Sequence, residues 1–125
     1  MRVTLRVRYY ECDMQRVVHN AVYLAWCDDV GDRLFRDAGI EAADGWDVMV
    51  KTATVTWHAP ARLGDEVEIE PRITRWGNTS FDVTYTGVKA GHPLFDAVIT
   101  YVTVDMASSA SIAVPEVFRQ ALAAG

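Results

Sequence analysis

The stretch Arg8-Tyr9-Tyr10-Glu11-Cys12-Asp13-Met14-Gln15-Arg16-Val17-Val18-His19-Asn20-Ala21-Val22-Tyr23-Leu24-Ala25-Trp26 contains the change of period on which the fold turns. Up to Tyr10 the residues alternate, with Leu5, Val7 and Tyr9 on one side and Thr4, Arg6 and Arg8 on the other. That pattern predicts a half-buried strand over 4–10. Glu11 to Val18 follow neither period and read as a loop. From Asn20 the spacing becomes helical: Tyr23, Trp26, Cys27, Val30 and Leu34 form one apolar stripe, widened by Leu24 and Phe35. The opposite face carries Asp28, Asp29, Asp32, Arg33, Arg36 and Asp37. There Asp29→Arg33 and Asp32→Arg36 are favourable i, i+4 pairs, each worth a few tenths of a kcal/mol. Asn20 is the expected N-cap and Gly39 the C-terminal stop, which makes a helix of roughly five turns.

Beyond a Gly- and Asp-containing connection over 42–47 the chain is strand-like. Val48 to His58 is rich in Val and Thr and stops before Pro60. Leu63-Gly64-Asp65-Glu66 reads as a turn. Val67, Ile69, Pro71 and Ile73 then alternate with charged residues, and Pro71 implies an edge or a bulge. Trp76-Gly77-Asn78-Thr79 is a hairpin turn, followed by the alternation of Phe81, Val83 and Tyr85. Lys89 to Pro93 is another turn. Leu94 to Val104 is apolar on both faces and is expected to be a central strand. Pro115 opens a short final helix. One long helix and about five antiparallel strands make an α+β domain whose sheet buries one face by wrapping around that helix.

The 125 residues are enough for one domain with a substantial core, and no internal repeat or boundary divides 1–125. Half the residues are hydrophobic, 23% are charged, and the net charge of -5 disfavours non-specific nucleic-acid binding. No run of about 18 apolar residues suggests a membrane span, and the alternating N-terminus lacks the apolar block of a signal peptide. Cys12 and Cys27 have neither CxxC spacing nor a histidine at ligand spacing, so two reduced thiols in a cytoplasmic protein are expected, with no metal.

Asp13 is the first candidate for chemistry. A loop aspartate ordinarily makes a local turn bond. This one lies among Tyr10, Met14, Val17 and Val18 and precedes a helix start whose open N–H groups can hold a developing oxyanion. A carboxylate there can act as general base or as nucleophile. His19, just before the helix, reads as a ligand contact rather than a catalyst, while Asn20 contributes its backbone N–H. Tyr23, Trp26 and Val30 read first as core. Trp57 and His58 at a strand end are candidates for a pocket wall. Asp28, Asp29 and Asp32 read as a solvated face rather than a metal cluster. No GxSxG, P-loop, HExxH or paired CxxC is present, and Ser108, Ser109 and Ser111 lack a nearby base.

From Arg8 to Leu24 the chain resembles the hotdog-fold acyl-CoA thioesterases, in the branch of 4-hydroxybenzoyl-CoA thioesterase and YbgC-like proteins. The resembling features are an aromatic-bearing strand, Cys12-Asp13, the Val17-Val18 pair, and Asn20-Ala21-Val22-Tyr23-Leu24. Weaker matches are Ala59-Pro60-Ala61, Gly64-Asp65-Glu66, Gly77-Asn78-Thr79-Ser80, Val104-Asp105 and Ile112 to Glu116. The resemblance implies a hotdog domain that forms a homodimer, assembled further as a dimer of dimers, with active sites at subunit interfaces. It implies Asp13 as the catalytic carboxylate and Asn20 as the backbone donor to the thioester carbonyl. Arg16, His19, Tyr23, Trp57, His58, Thr79 and Ser80 would contact substrate, and Lys89 and His92 the phosphates. The substrate is a CoA thioester, and no cofactor is required. One departure stands out. Arg16 occupies a position where many members have glycine, which implies either a differently shaped Gln15-Arg16 loop or a contact from Arg16 to an acidic acyl group or a phosphate. Two alternatives accompany this reading: a thioesterase for acyl groups on a carrier protein, and a non-catalytic hotdog module that binds acyl-CoA or another ligand. A dehydratase lacks a second residue set paired with Asp13.

Overall fold

The computed structural model describes residues 1–40 and 44–123, so part of the expected 42–47 connection lies outside the described residues. The elements are β1 (Val3–Arg6), a 3-10 turn (Tyr9–Glu11), α1 (Asn20–Asp37), β2 (Trp46–Trp57), β3 (Glu66–Trp76), β4 (Ser80–Lys89), β5 (His92–Asp105) and α2 (Glu116–Ala123). The five strands form one antiparallel sheet in the order β1-β3-β4-β5-β2. The sheet curls around α1, which is the α+β layout expected from the change of period. No described helix is long and apolar enough to cross a membrane.

The buried stripe of α1 is Tyr23, Trp26, Cys27, Val30, Gly31 and Phe35, with Leu34 at its margin. It packs on Val67, Ile69, Phe81, Val83, Tyr85, Phe95, Ala97 and Ile99 from the inner face of the sheet. Burial pushes the Cys27 thiol up to about 12, so it behaves as a small core hydrophobe. Gly31 faces the hydroxyl groups of Tyr85 and Tyr101, which bond to one another at 2.6 Å and leave no room for a side chain there. α2 closes the other end of the core by setting Phe118 against Phe35, Trp46 and Phe81.

α1 ends as its sequence predicts. Gly39 takes φ +96, its N–H donates to the Arg36 carbonyl, and the N–H of buried Ile40 donates to the Phe35 carbonyl. These are the two bonds of a Schellman motif. Its start differs by one residue from expectation. His19 is the N-cap, without a side-chain cap bond, and Asn20 is the first helical residue.

The first strand is shorter than its alternation predicts, because pairing stops at Arg6. The cause is Glu11, a charged residue in the core. Its carboxylate accepts the Arg8 N–H and the Trp26 indole N–H, each at 2.7 Å, which pulls Tyr9–Glu11 into the 3-10 turn and swings Tyr9 out to solvent. Pro71 behaves as expected. β1 pairs with β3 only over Glu66 to Ile69, so at Pro71 the outer side of β3 is an edge and no ladder bond is lost. β5 is interior, as expected. The turn before it is tighter than expected, with only Ala90 and Gly91 between β4 and β5, both at positive φ.

β2 is the edge strand at the other side of the sheet. Its residues paired with buried β5 positions, Val50, Ala53, Val55 and Trp57, point to the helix side. α1 does not reach across them: Val50 is 52% exposed and Trp57 is 45% exposed.

Candidate active site

The loop between the 3-10 turn and α1 is held shut by its own backbone. The Asp13 N–H donates to Val17 C=O and the Arg16 N–H to Asp13 C=O, both at 3.0 Å. Cys12 and Val18 form a bridge across its neck. Two further bonds tie it to the rest of the chain, Val18 N–H to Ala61 C=O and His19 N–H to Glu11 C=O, each at 2.9 Å. Tyr23 secures Ala61 in turn, since its buried hydroxyl accepts the Ala61 N–H at 3.1 Å. The Asp13 segment and the first turn of α1 therefore hang from the same three supports: Glu11, Ala61 and Tyr23.

Asp13 is solvent-facing. Its Oδ1 accepts the Gln15 N–H at 2.8 Å, and among the described residues Oδ2 has no partner. One oxygen is oriented while the other is open to a reactant. A few residues on, the N–H groups of Asn20 and Ala21 donate to no acceptor among the described residues, while the Val22 N–H returns to His19 C=O at 2.9 Å. A half-bound carboxylate thus sits in the loop that runs into two unpaired helix N–H groups at the start of α1, two features of the kind acyl transfer uses. Cys12 is no rival nucleophile. Burial first, and then the carboxylates of Glu11 and Asp13, push its thiol up and keep it protonated.

Asp13 and Arg16 lie in a cleft of about 620 Å³ whose remaining wall is Tyr9, Tyr10, Cys12, Met14 and Leu63. That is an adequate volume for a small ligand. The bulky residues expected to enclose Asp13 do not bury it within one chain. Tyr9 is 83% exposed, Tyr10 73%, and Met14 is wholly exposed. They form an open apolar rim because no other part of the described chain folds over them.

The other expected contacts divide by position. His19 is exposed at the helix start. Tyr23 is buried and reaches the site only through Ala61. Trp57 packs edge-on to Tyr23 at 5.9 Å, with one side open. His58 bonds Asp96 at 2.7 Å, and Asp96 alternates with buried Phe95 and Ala97, so this pair sits on the face of the sheet away from α1. Lys89 is paired with Asp65 at 2.8 Å, and His92 lies opposite it in the hairpin. Thr79 and Ser80 are not brought to Asp13 within one chain. They belong to the β3–β4 turn, where Thr103 bonds the Thr79 carbonyl and Arg75 bonds the Ser80 hydroxyl. The neighbouring Phe81 packs on Phe35 near the far end of a helix about 27 Å long.

Glu11 escapes a reading of the sequence, since an acid between aromatic residues and a loop gives no sign of burial. Glu11→Gln should remove about 1–3 kcal/mol of stability, because the amide turns its NH₂ toward one of two donors that need an acceptor. Thermal melts of the two proteins measure this, and an unchanged Tm would show that the paired bonds contribute nothing.

The thioesterase-like superfamily model matches residues 7–122. The acyl-CoA thioester hydrolase YbgC of Escherichia coli is 32% identical over 109 residues, covering 83% of this chain and 81% of YbgC. Among solved structures, the Staphylococcus aureus protein SAV2348, crystallised in complex with CoA, superposes with a TM-score of 0.93 at 20% identity, over 98% of this chain and 81% of that one. The gentisyl-coenzyme A thioesterase BH1999 superposes with a TM-score of 0.88 at 20% identity, over 98% of this chain and 99% of that one. The curled five-stranded sheet on one long helix is thus the hotdog fold.

Proposed function

The chain belongs to the thioesterase-like superfamily and is a thioester hydrolase, and we propose that its single domain hydrolyses an acyl-CoA with Asp13 as the reactive carboxylate. The observation that supports this most is a carboxylate with one open oxygen, Asp13 Oδ2, in the short closed loop that leads directly into the unpaired N–H groups of Asn20 and Ala21. With the thioester carbonyl oxygen against those N–H groups, the carbonyl carbon is polarised for addition. Asp13 then takes a proton from water as the water oxygen bonds to that carbon. The tetrahedral oxyanion collapses, the C–S bond breaks, and the CoA sulfur leaves with the proton. The same geometry permits direct attack by Oδ2, giving an aspartyl anhydride that water opens. Single turnover in ¹⁸O-water separates the routes, because only the anhydride route can leave label in Asp13.

The test is release of free thiol from short, long and aromatic acyl-CoAs, alongside the same acyl groups on a carrier protein. Turnover of at least one CoA thioester is expected. Tight binding without turnover of any would leave a ligand-binding module, and turnover confined to carrier-bound substrates would shift the substrate class.

The same reading has the enzyme work as a homodimer. β2 is a twelve-residue edge strand with apolar side chains uncovered on its helix side, and an antiparallel β2–β2 pairing across a two-fold axis would cover both copies. A second protomer would also supply the wall that the Asp13 cleft lacks. Val50→Lys, placing a charge on that face, should convert a dimer to a monomer in sedimentation velocity and lower kcat/KM about tenfold or more. A dimeric, fully active variant would rule this interface out.

A further inference from the structure

We propose that Arg16 selects the acyl group, and that the preferred substrate carries a free carboxylate close to its thioester carbonyl; this rests on the thioesterase reading of the same cleft. Arg16 stands at φ +63, a left-handed conformation that glycine adopts freely and a side chain ordinarily avoids. An outlier of that kind beside a reactive group points to a use for the side chain.

Its charge is also uncommitted. Arg16, like Arg6, Arg8, Arg62 and Arg119, pairs with no carboxylate among the described residues, and of these five it alone lines the cleft that holds Asp13. In the cleft it shares with Asp13, the rest of the wall is uncharged, formed by the rings of Tyr9 and Tyr10 and by Met14 and Leu63 with the protonated Cys12. The cleft therefore holds one anion, which the reaction uses, and one cation, which the reaction does not. A guanidinium in that position is a two-pronged receptor for a carboxylate.

Two parts of an acyl-CoA are anionic: the phosphates, and a carboxylate on the acyl chain. Geometry favours the second. Asp13 and Arg16 are the first and last residues of one hydrogen-bonded turn, with Cα atoms within about 7 Å. An anion on Arg16 thus lies near the thioester, whereas the extended pantetheine arm holds the diphosphate far from it.

The experiment compares glutaryl-CoA with valeryl-CoA, which share a chain length and differ in the terminal carboxylate, on wild type, R16G and R16K. Glycine suits the backbone at this position, so R16G removes the cation without straining the loop. Wild type should prefer the glutaryl thioester in kcat/KM by roughly tenfold or more, with the difference carried in KM. R16G should bring the ratio close to one, and R16K should restore part of it. The glutaryl and valeryl thioesters of pantetheine, which lack the phosphates, should show the same wild-type ratio and the same loss. A ratio unchanged by R16G overturns the proposal. So does an R16G defect equal for both acyl groups and confined to the CoA thioesters, which would place Arg16 on the phosphates. Calorimetry with non-hydrolysable thioether analogues of the pair keeps the two readings apart. Failure of hydrolysis with a charge-selective Kd that R16G abolishes defeats the thioesterase reading alone, and equal Kd values defeat this one.

Discussion

Asp13→Asn should lower kcat for acyl-CoA hydrolysis by roughly 10²–10⁴-fold while leaving KM within a few-fold and Tm unchanged. The expectation comes from how the two oxygens of Asp13 are used. Oδ1 accepts the Gln15 N–H, a bond that an asparagine carbonyl oxygen reproduces, so the turn and the closed loop survive. Oδ2, which has no partner among the described residues, becomes an NH₂ that can neither accept a proton from water nor attack a carbonyl. Because the residue is exposed, the exchange costs little folding energy. The helix N–H pair is untouched and should sustain a residual rate and normal substrate binding. A folded Asn variant retaining a third or more of the wild-type kcat would remove Asp13 from the reaction and defeat the proposed mechanism.

A large effect on stability is expected from Gly31→Ala. On helix propensity alone this exchange should stabilise α1 by about 1 kcal/mol. The tertiary contact reverses the sign. An added methyl would sit inside contact distance of the Tyr85 hydroxyl and against that of Tyr101. Both rings are buried and held by their mutual bond, so neither hydroxyl oxygen has room to move aside. With a buried hydroxyl this close to the added methyl, overpacking costs about 3 kcal/mol, which leaves a net loss of roughly 2 kcal/mol after the propensity gain and a fall in Tm on the order of 5–10 °C. Tyr85→Phe opens space where the methyl must go, so Gly31→Ala should cost markedly less in that background. Additive effects in the double-mutant cycle would show that the hydroxyl is not the obstacle.

Gly31 also shows what a single sequence discloses. A glycine on the apolar stripe of a long helix signals a close approach, although nothing in the spacing says which residues approach it. The helix is legible because its stripe and its Gly39 stop are local patterns. β3 and β4 are legible because each keeps one wet face, and β5 because it is apolar on both. Strand order is not, since β2 and β5 meet through distant pairs such as Trp46 with Asp105. The early end of β1 is hidden for another reason: the alternation continues through Tyr9, and only a bond from Glu11 to an indole fifteen residues later breaks it. The same holds at the site. Asp13 and Asn20, the proposed carboxylate and helix donor, are joined by a short loop, so their nearness in the chain is legible in the sequence. Tyr23 is tied to the Asp13 loop only through its bond to Ala61, a relation that only the fold creates, and Thr79 and Ser80 lie at the other end of α1.

The place of β2 in the sheet has a consequence for biosynthesis. β3, β4 and β5 follow one another as hairpins and can pair as they leave the ribosome, but β2 is made before all three and bonds only to the last of them. Until β5 emerges, a twelve-residue strand rich in valine and threonine has both of its edges unpaired. Translational pausing within 58–91 would prolong that interval, and chains ending there would expose a segment prone to aggregation. For this sheet, the order of synthesis sets how long the chain is at risk.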